Sequence, residues 1–403
     1  MEQLKVRLGR LDLEVLDSIV TATVVDPDAV RRFADDISPP AEPVNDYITE
    51  VDTRRDLFEK YRAICHSQED QPNAVVFALF MVAPVTEIRT YLDGYKPEGC
   101  EKQQGFRTGW TLMNSVKAIR TYLGNPTSVA TLDEPETPVP PVSATRYGFE
   151  KSVNKRDGGV CVFSGMPDPQ AAHIVPFALS SNQAFFSLDN MLTTFWGPNQ
   201  ARTWRRTYEC IEMAQSPMNG ISMNHQIHFW FNTARVALKP LRLDEEGITV
   251  QWHWLKKSVL RPLTRTTPDI DILHQAGVMD QSWGDDPDTF AHRKSGVRIQ
   301  TGQTFLFPRS SAMPSWDQLE LQWDLHRVAA LCGAADVPDD YYDYEDPYDR
   351  EYCEVVAARQ RAVWAKYESR KKGKEVAGAE AEPINTPSTS DADSDDTAFE
   401  MVL

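Results

Sequence analysis

An α+β fold is predicted, and three features of the chain carry the prediction. Helical periodicity dominates the first 124 residues. Between Arg156 and Pro240, short β-type runs are followed by a turn and then by a helix-like run. Directly after comes Gly247-Ile248-Thr249-Val250-Gln251-Trp252-His253-Trp254, which alternates as a strand with aromatic faces.

Taken in order, Leu4, Val6 and Leu8 alternate as in a short strand, and Asp26-Pro27-Asp28 starts a helix through Val30 and Phe33. Leu57 to Cys65 and Ala74 to Val82 predict packed helices, the second buried all round. His66, alone beside Cys65, reads as a surface or core histidine. Phe106 to Leu123 has a helical period and stops at Gly124-Asn125-Pro126. Asn125 to Thr145 holds Pro126, Pro135, Pro138, Pro140 and Pro141 with few large apolar residues, which is linker composition. Asn182 to Met213 reads as an insertion containing Arg202-Thr203-Trp204-Arg205-Arg206, and residues 264–313 as loop-rich. Ser315-Trp316-Asp317-Gln318 has capping-box form and opens a helix through Leu321, Leu325, Val328 and Cys332, closed by Gly333. Asp336 to Glu351 carries eight acids against Arg350, and Glu351 to Lys366 reads as one more amphipathic helix. From Lys371 onward Ala, Glu, Ser, Thr, Asp and Pro dominate, the composition of a disordered tail. The expected division is a helical region 1–124, a Pro-rich linker 125–145, a mixed domain 146–262, a C-terminal extension with helices 263–369 and an acidic disordered tail 370–403.

With 403 residues the chain has the length for a large core. Its longest apolar run, Ala74 to Ala83, is too short to span a bilayer, so no membrane partner is expected. Met1-Glu2-Gln3-Leu4-Lys5 lacks a basic flank leading into an apolar region, which speaks against a secretory signal. Six scattered cysteines without a Cys-x-x-Cys fit reduced thiols inside the cell, and no zinc knuckle. The net charge of −17 argues against a polyanionic partner for the chain as a whole. Between Arg146 and Arg261, however, 13 basic residues face nine acids, a net +4 that leaves −21 for the remainder. A basic island in an acidic chain is compatible with phosphate binding there.

The motifs sit inside that island. Arg156-Asp157-Gly158-Gly159-Val160-Cys161-Val162-Phe163-Ser164-Gly165 leads to Ala171-Ala172-His173-Ile174-Val175-Pro176. Asn219-Gly220 follows, and then His225-Gln226-Ile227-His228-Phe229-Trp230-Phe231-Asn232. Imidazole titrates near neutrality, so His173 is a candidate general base. Residues four apart share a helix face, so His228 and Asn232 are candidates to hold one cation, with His225 one turn earlier. Asn219 can bond backbone across its turn and hold the His173 strand. Arg156, Arg202, Arg205 and Arg206 are candidate phosphate contacts. Trp252, His253 and Trp254 suit a core strand better than a base-stacking platform.

In order and spacing these elements resemble the HNH nucleases of ββα-metal type, specifically the variant group common in fungi. The resemblance covers about a quarter of the chain. It implies a ββα-metal element embedded in a larger mixed domain and an endonuclease that hydrolyses nucleic-acid phosphodiesters, DNA ahead of RNA. It implies one divalent ion, Mg²⁺ foremost, with Mn²⁺, Ni²⁺ or Zn²⁺ as alternatives. It assigns His173 as base, Asn219 as the central motif residue, and His228 with Asn232 as the metal side. The family usually has Asp where this chain has Asn232, and a neutral carbonyl is a weaker donor to a hard cation. Ala172 stands where other HNH enzymes place an acid or His. The two imidazoles are expected to approach closely enough to share a cation and a water. The alternative reading is a degenerate HNH fold that binds or scaffolds without cutting.

Overall fold

Nine apolar residues in succession, Ala74–Val82, form a helix with every side chain buried. The computed structural model describes residues 40–45, 47–65, 71–94, 111, 114–123, 142–176, 182–209, 211–256, 258–266, 272–277, 290–293 and 296–334. Three N-terminal helices are α1 (Val51–Ile64), α2 (Ala74–Val82) and α3 (Val85–Asp93). The Asn73 side chain caps α2 by accepting from the Val76 N–H at 3.0 Å. At its other end the carbonyls of Phe80 and Ala83 accept from Arg54 Nη1 at 2.9 and 2.6 Å. Burial pushes Arg54 down to about 10, so it stays cationic at neutral pH and suits the negative end of the helix.

Helix α4 (Val142–Arg156) starts inside the stretch assigned to the linker, immediately after Pro141. The stretch read as an insertion is also helical: α5 (Asn182–Arg205) bends at Gly197, whose φ is 79°, and resumes at Pro198. Strand β1 (Gln170–His173) pairs antiparallel with β2 (Gly220–Met223) in the register Gln170↔Met223, Ala171↔Ser222, Ala172↔Ile221 and His173↔Gly220. Helix α6 (His225–Asn232) follows β2 directly.

A second, three-stranded antiparallel sheet has the order β3 (Val236–Leu243), β4 (Gly247–Trp254), β5 (Thr304–Pro308). Strand β5 lies in the region read as loop, because five residues ending in proline carry too short an alternation to stand out. Trp252, His253 and Trp254 are buried in the core. Burial pushes His253 down to about 3 and His326 to about 4, which makes both neutral packing residues.

Helix α7 (Trp316–Leu331) lies against β3, α2 and α5, so the N-terminal helices, the hairpin and the sheet share one core. Its N-cap Ser315 makes no side-chain cap bond; its backbone N–H goes to Met218 O at 2.9 Å, tying the start of α7 to the approach to β2. The capping box expected there is not formed. The stop at Gly333 is steric as well as conformational, since a Cβ there would lie 1.9 Å from Leu260 O.

Of the helix expected over 106–123, residues 111 and 114–122 are described and helical, and 123 is a turn. The expected strand at Leu4–Leu8, the helix from Asp26, His66, most of the Pro-rich stretch, the acidic tract, the helix after it and the tail lie outside the described residues. All described residues fall in one compact unit, Met1–Asp339. No described helix is long and apolar enough to cross a membrane.

Candidate active site

Successive residues of a strand point to opposite faces, so Gln170 and Ala172 share one face of β1 while Ala171 and His173 share the other. On the His173 face the hairpin meets α4. The His173 ring stacks on Phe149 with centroids 4.1 Å apart and planes 5° from parallel. The cross-strand partner of His173 is Gly220, where a Cβ would lie 2.5 Å from Val153 Cγ2 and 2.8 Å from Phe149 Cζ. Gly220 is therefore not only a turn residue. It is a strand position kept bare so that α4 can bring Phe149 over the histidine.

Asn219 is buried at the end of the one-turn helix Pro217–Asn219. Its Oδ1 accepts from the Val175 N–H at 2.8 Å, and its Nδ2 donates to Val175 O at 2.8 Å and Ala214 O at 2.9 Å. Its backbone carbonyl accepts from the Ile174 N–H at 2.9 Å. Asn219 thus continues the β1–β2 pairing past His173, to Ile174 by its backbone and to Val175 by its side chain.

The turn before β1 is held from within. The Cys161 N–H donates to Met166 O and its carbonyl accepts from Gly165 N–H, both at 2.8 Å, while the buried Sγ accepts from Ser164 N–H at 3.4 Å. Arg156 spends all five N–H donors on the fold. Nε and Nη2 bind the two Asp157 oxygens at 2.7 and 2.8 Å, Nη1 binds Pro217 O and Ala312 O at 2.7 and 2.9 Å, and Nη2 also binds Gly220 O at 2.7 Å. Nothing remains on this guanidinium for a phosphate.

On the other face of the hairpin lies α6. Asn224 caps it by accepting from Ile227 N–H at 2.8 Å, and Ile227 and Phe231 anchor its buried side. His225, Phe229 and Asn232 are exposed, and His228 is half-buried. His228 Nδ1 lies 2.8 Å from Gln170 Oε1, so the helix histidine meets β1 at a residue three positions before His173 and on the opposite face. Asn232 does lie one turn from His228, at the solvent edge. The structure thus brings His228 to Gln170 and His173 to Phe149, on opposite faces of the hairpin by strand alternation, so these contacts do not give the close approach of the two imidazoles expected from the sequence.

The family model described as HNH endonuclease matches residues 161–239. These residues form an HNH endonuclease domain. The match begins at Cys161, takes in the hairpin, α5 and α6, and ends within β3. No curated protein and no solved structure matches the chain.

The basic island around the HNH domain is smaller in space than in sequence. Arg205 is held by two bonds to Asp189. Arg242 pairs with Glu42, and Lys256 donates to Gly277 O at 3.0 Å. Arg202 is exposed on the last turn of α5 and Arg206 in the turn just after it, and Lys151 and Lys155 are exposed on α4.

For the divalent ion that HNH chemistry uses, the donor set is lean. Among the described residues no group of three or more His, Cys, Asp or Glu could hold a metal ion. A divalent ion would have His228 and Asn232, the candidates named from the sequence, as protein donors, which is one imidazole nitrogen and one neutral carbonyl with no carboxylate between them. Sequence reasoning missed Gln170, a polar residue among alanines before a recognisable motif; its being two residues from Ala172 on one strand face was the available signal.

Proposed function

We propose that the HNH domain hydrolyses nucleic-acid phosphodiester bonds, DNA ahead of RNA, with His173 as general base and His228 on the cation side. The observation that supports this most is the match of the HNH endonuclease model to the segment that carries His173, Asn219 and His228. Phosphodiester hydrolysis runs in line, with attacking and leaving oxygens on opposite sides of phosphorus, and calls for a base at the one and positive charge at the other. When bound, a Mg²⁺ ion supplies positive charge to the scissile phosphate and the leaving oxygen. His173 takes the proton from water while Phe149 fixes its ring plane, and Asn219 holds the following backbone. Exposed Arg202 and Arg206 offer charge to the phosphates, and exposed Phe229 beside His228 offers a face to a base. In this reading residues 146–262 are the cutting domain of an intracellular protein.

Nicking of supercoiled plasmid by the full-length protein is the direct test. Cleavage that needs Mg²⁺ or Mn²⁺ and stops with a chelator is expected. No nicking with either ion, or with Ni²⁺ or Zn²⁺, removes the reading. Two observations favour the second reading, a binding or scaffold module that no longer cuts. The cation side offers the neutral Asn232 and no ligand at Ala172, and Arg156 is consumed by the fold.

The first of these yields its own test. Asn232→Asp places a carboxylate at the exposed position one turn from His228, and Mg²⁺ is expected to bind about tenfold more tightly, since carboxylates are its preferred protein ligands. Calorimetry showing no gain would place Asn232 away from the ion.

A further inference from the structure

Strand β5 forms one edge of the three-stranded sheet. In an antiparallel ladder the backbone groups of alternate residues bond one neighbour, and those of the residues between point away from it. Just past the strand the Arg309 N–H donates to Glu246 O at 2.8 Å, on the β4 side, while the Thr304 N–H donates outward to Pro40 O at 2.6 Å. Leu306 has the parity of Thr304, so its N–H and carbonyl look away from β4. Among the described residues none pairs with Leu306 on that outer side. The Leu306 side chain is exposed as well, whereas Phe305 and Phe307 are buried and pack on Phe163.

This edge lines a groove of about 1360 Å³, together with the end of α4 and the turn through Val160. The volume exceeds the roughly 300–1,000 Å³ of a small-molecule pocket, and the walls are mostly apolar. Lys155 and Arg293 line it too, both exposed and neither with an acidic partner among the described residues. Asp157, the one acid among the described lining residues, is taken up by Arg156 and the Ser222 N–H. A duplex needs a longer track of cations than two. A single nucleic-acid strand needs exposed aromatic faces, and the two phenylalanines here are buried. An extended polypeptide fits all of these features, with backbone for the open edge, apolar side chains for the walls and carboxylates for the two cations. We propose that this groove is a docking site for an acidic, extended segment of a partner protein, which adds to β5 as a further strand.

The test uses the full-length protein and a fluorescein-labelled peptide of alternating Val and Glu, and it does not depend on cleavage. The Val-Glu peptide is expected to bind, and its Val-Lys counterpart about tenfold or more weakly, because like charges would face each other. Leu306→Pro removes the outward N–H and leaves the ladder bonds in place, so it is expected to weaken the Val-Glu peptide about fivefold, the net value of one hydrogen bond. Lys155→Glu combined with Arg293→Glu is expected to weaken it about tenfold without touching the strand. Deuterium exchange at the Leu306 amide is expected to slow as the peptide saturates. No binding of the Val-Glu peptide, equal binding of the two peptides, or binding that both variants leave intact overturns the proposal. A duplex oligonucleotide that displaces the peptide and protects Leu306 would make the groove a nucleic-acid surface instead. Protection that grows with protein concentration alone would assign the edge to a second copy of the chain. Should Leu306→Pro lower the melting temperature, the charge-reversal variant and the exchange of Leu306 decide.

Discussion

Asn219→Ala is expected to lower folding stability by roughly 3–5 kcal/mol, since it orphans three buried backbone groups at about 1–3 kcal/mol each before relaxation. Those groups are the Val175 N–H and the carbonyls of Val175 and Ala214, all now bonded to one amide at 2.8–2.9 Å. Asn219→Asp is the sharper variant. It keeps the acceptor for Val175 N–H but sets a second oxygen against two carbonyls, so it is expected to be at least as damaging at neutral pH. Urea unfolding of the full-length chain gives both numbers. A loss below about 1 kcal/mol for Asn219→Ala, the net value of a single ordinary hydrogen bond, would show that the amide is not what holds this junction.

His173→Ala is expected to reduce the rate of plasmid nicking by about 10²–10⁴-fold, the usual contribution of a positioned general base. The fold tolerates the change better than the chemistry does. Removing the ring ends its stacking on Phe149, worth about 0.5–1.5 kcal/mol beyond area burial, but the strand pairing and the Asn219 bonds remain. DNA affinity measured with Ca²⁺ in place of Mg²⁺ is expected to stay within about twofold, because a base acts on water and not on the phosphate charge that drives binding. Cleavage that persists in this variant would remove His173 from the mechanism whatever the affinity does.

Local signals were legible where one short segment decides the outcome. The all-apolar run at Ala74–Val82, the alternation at Gly247–Trp254 and the histidine-bearing helix at His225–Asn232 each announce themselves in a handful of residues. What was not legible depends on partners far along the chain. Gly220 reads as half of a turn pair until Phe149 and Val153 are seen above it. Arg156 reads as a phosphate contact until its five acceptors are assembled from Asp157, Pro217, Gly220 and Ala312. Charge counts add residues that the fold later neutralises pairwise, so the island of +4 overstated the exposed cationic surface. The facing of the two imidazoles follows from strand parity, since Gln170 and His173 are an odd number of residues apart, but only the bond to His228 shows which face α6 occupies.

The strands of the β1–β2 pair are joined by residues 174–219, and that connection carries α5. A hairpin closed by a tight turn can zip up by itself; this one gains its ladder only after a long excursion has been ordered, at a loop-closure cost that local contacts do not repay. Its flanks, Phe149 on one side and the Met218 carbonyl held by Ser315 on the other, come from outside the 161–239 stretch or are anchored there. The candidate site is thus built from parts that lie far apart along the chain. A fragment trimmed to 161–239 would contain His173, Asn219, His228 and Asn232 and lack Phe149, Arg156 and Ser315, which hold the segments around them.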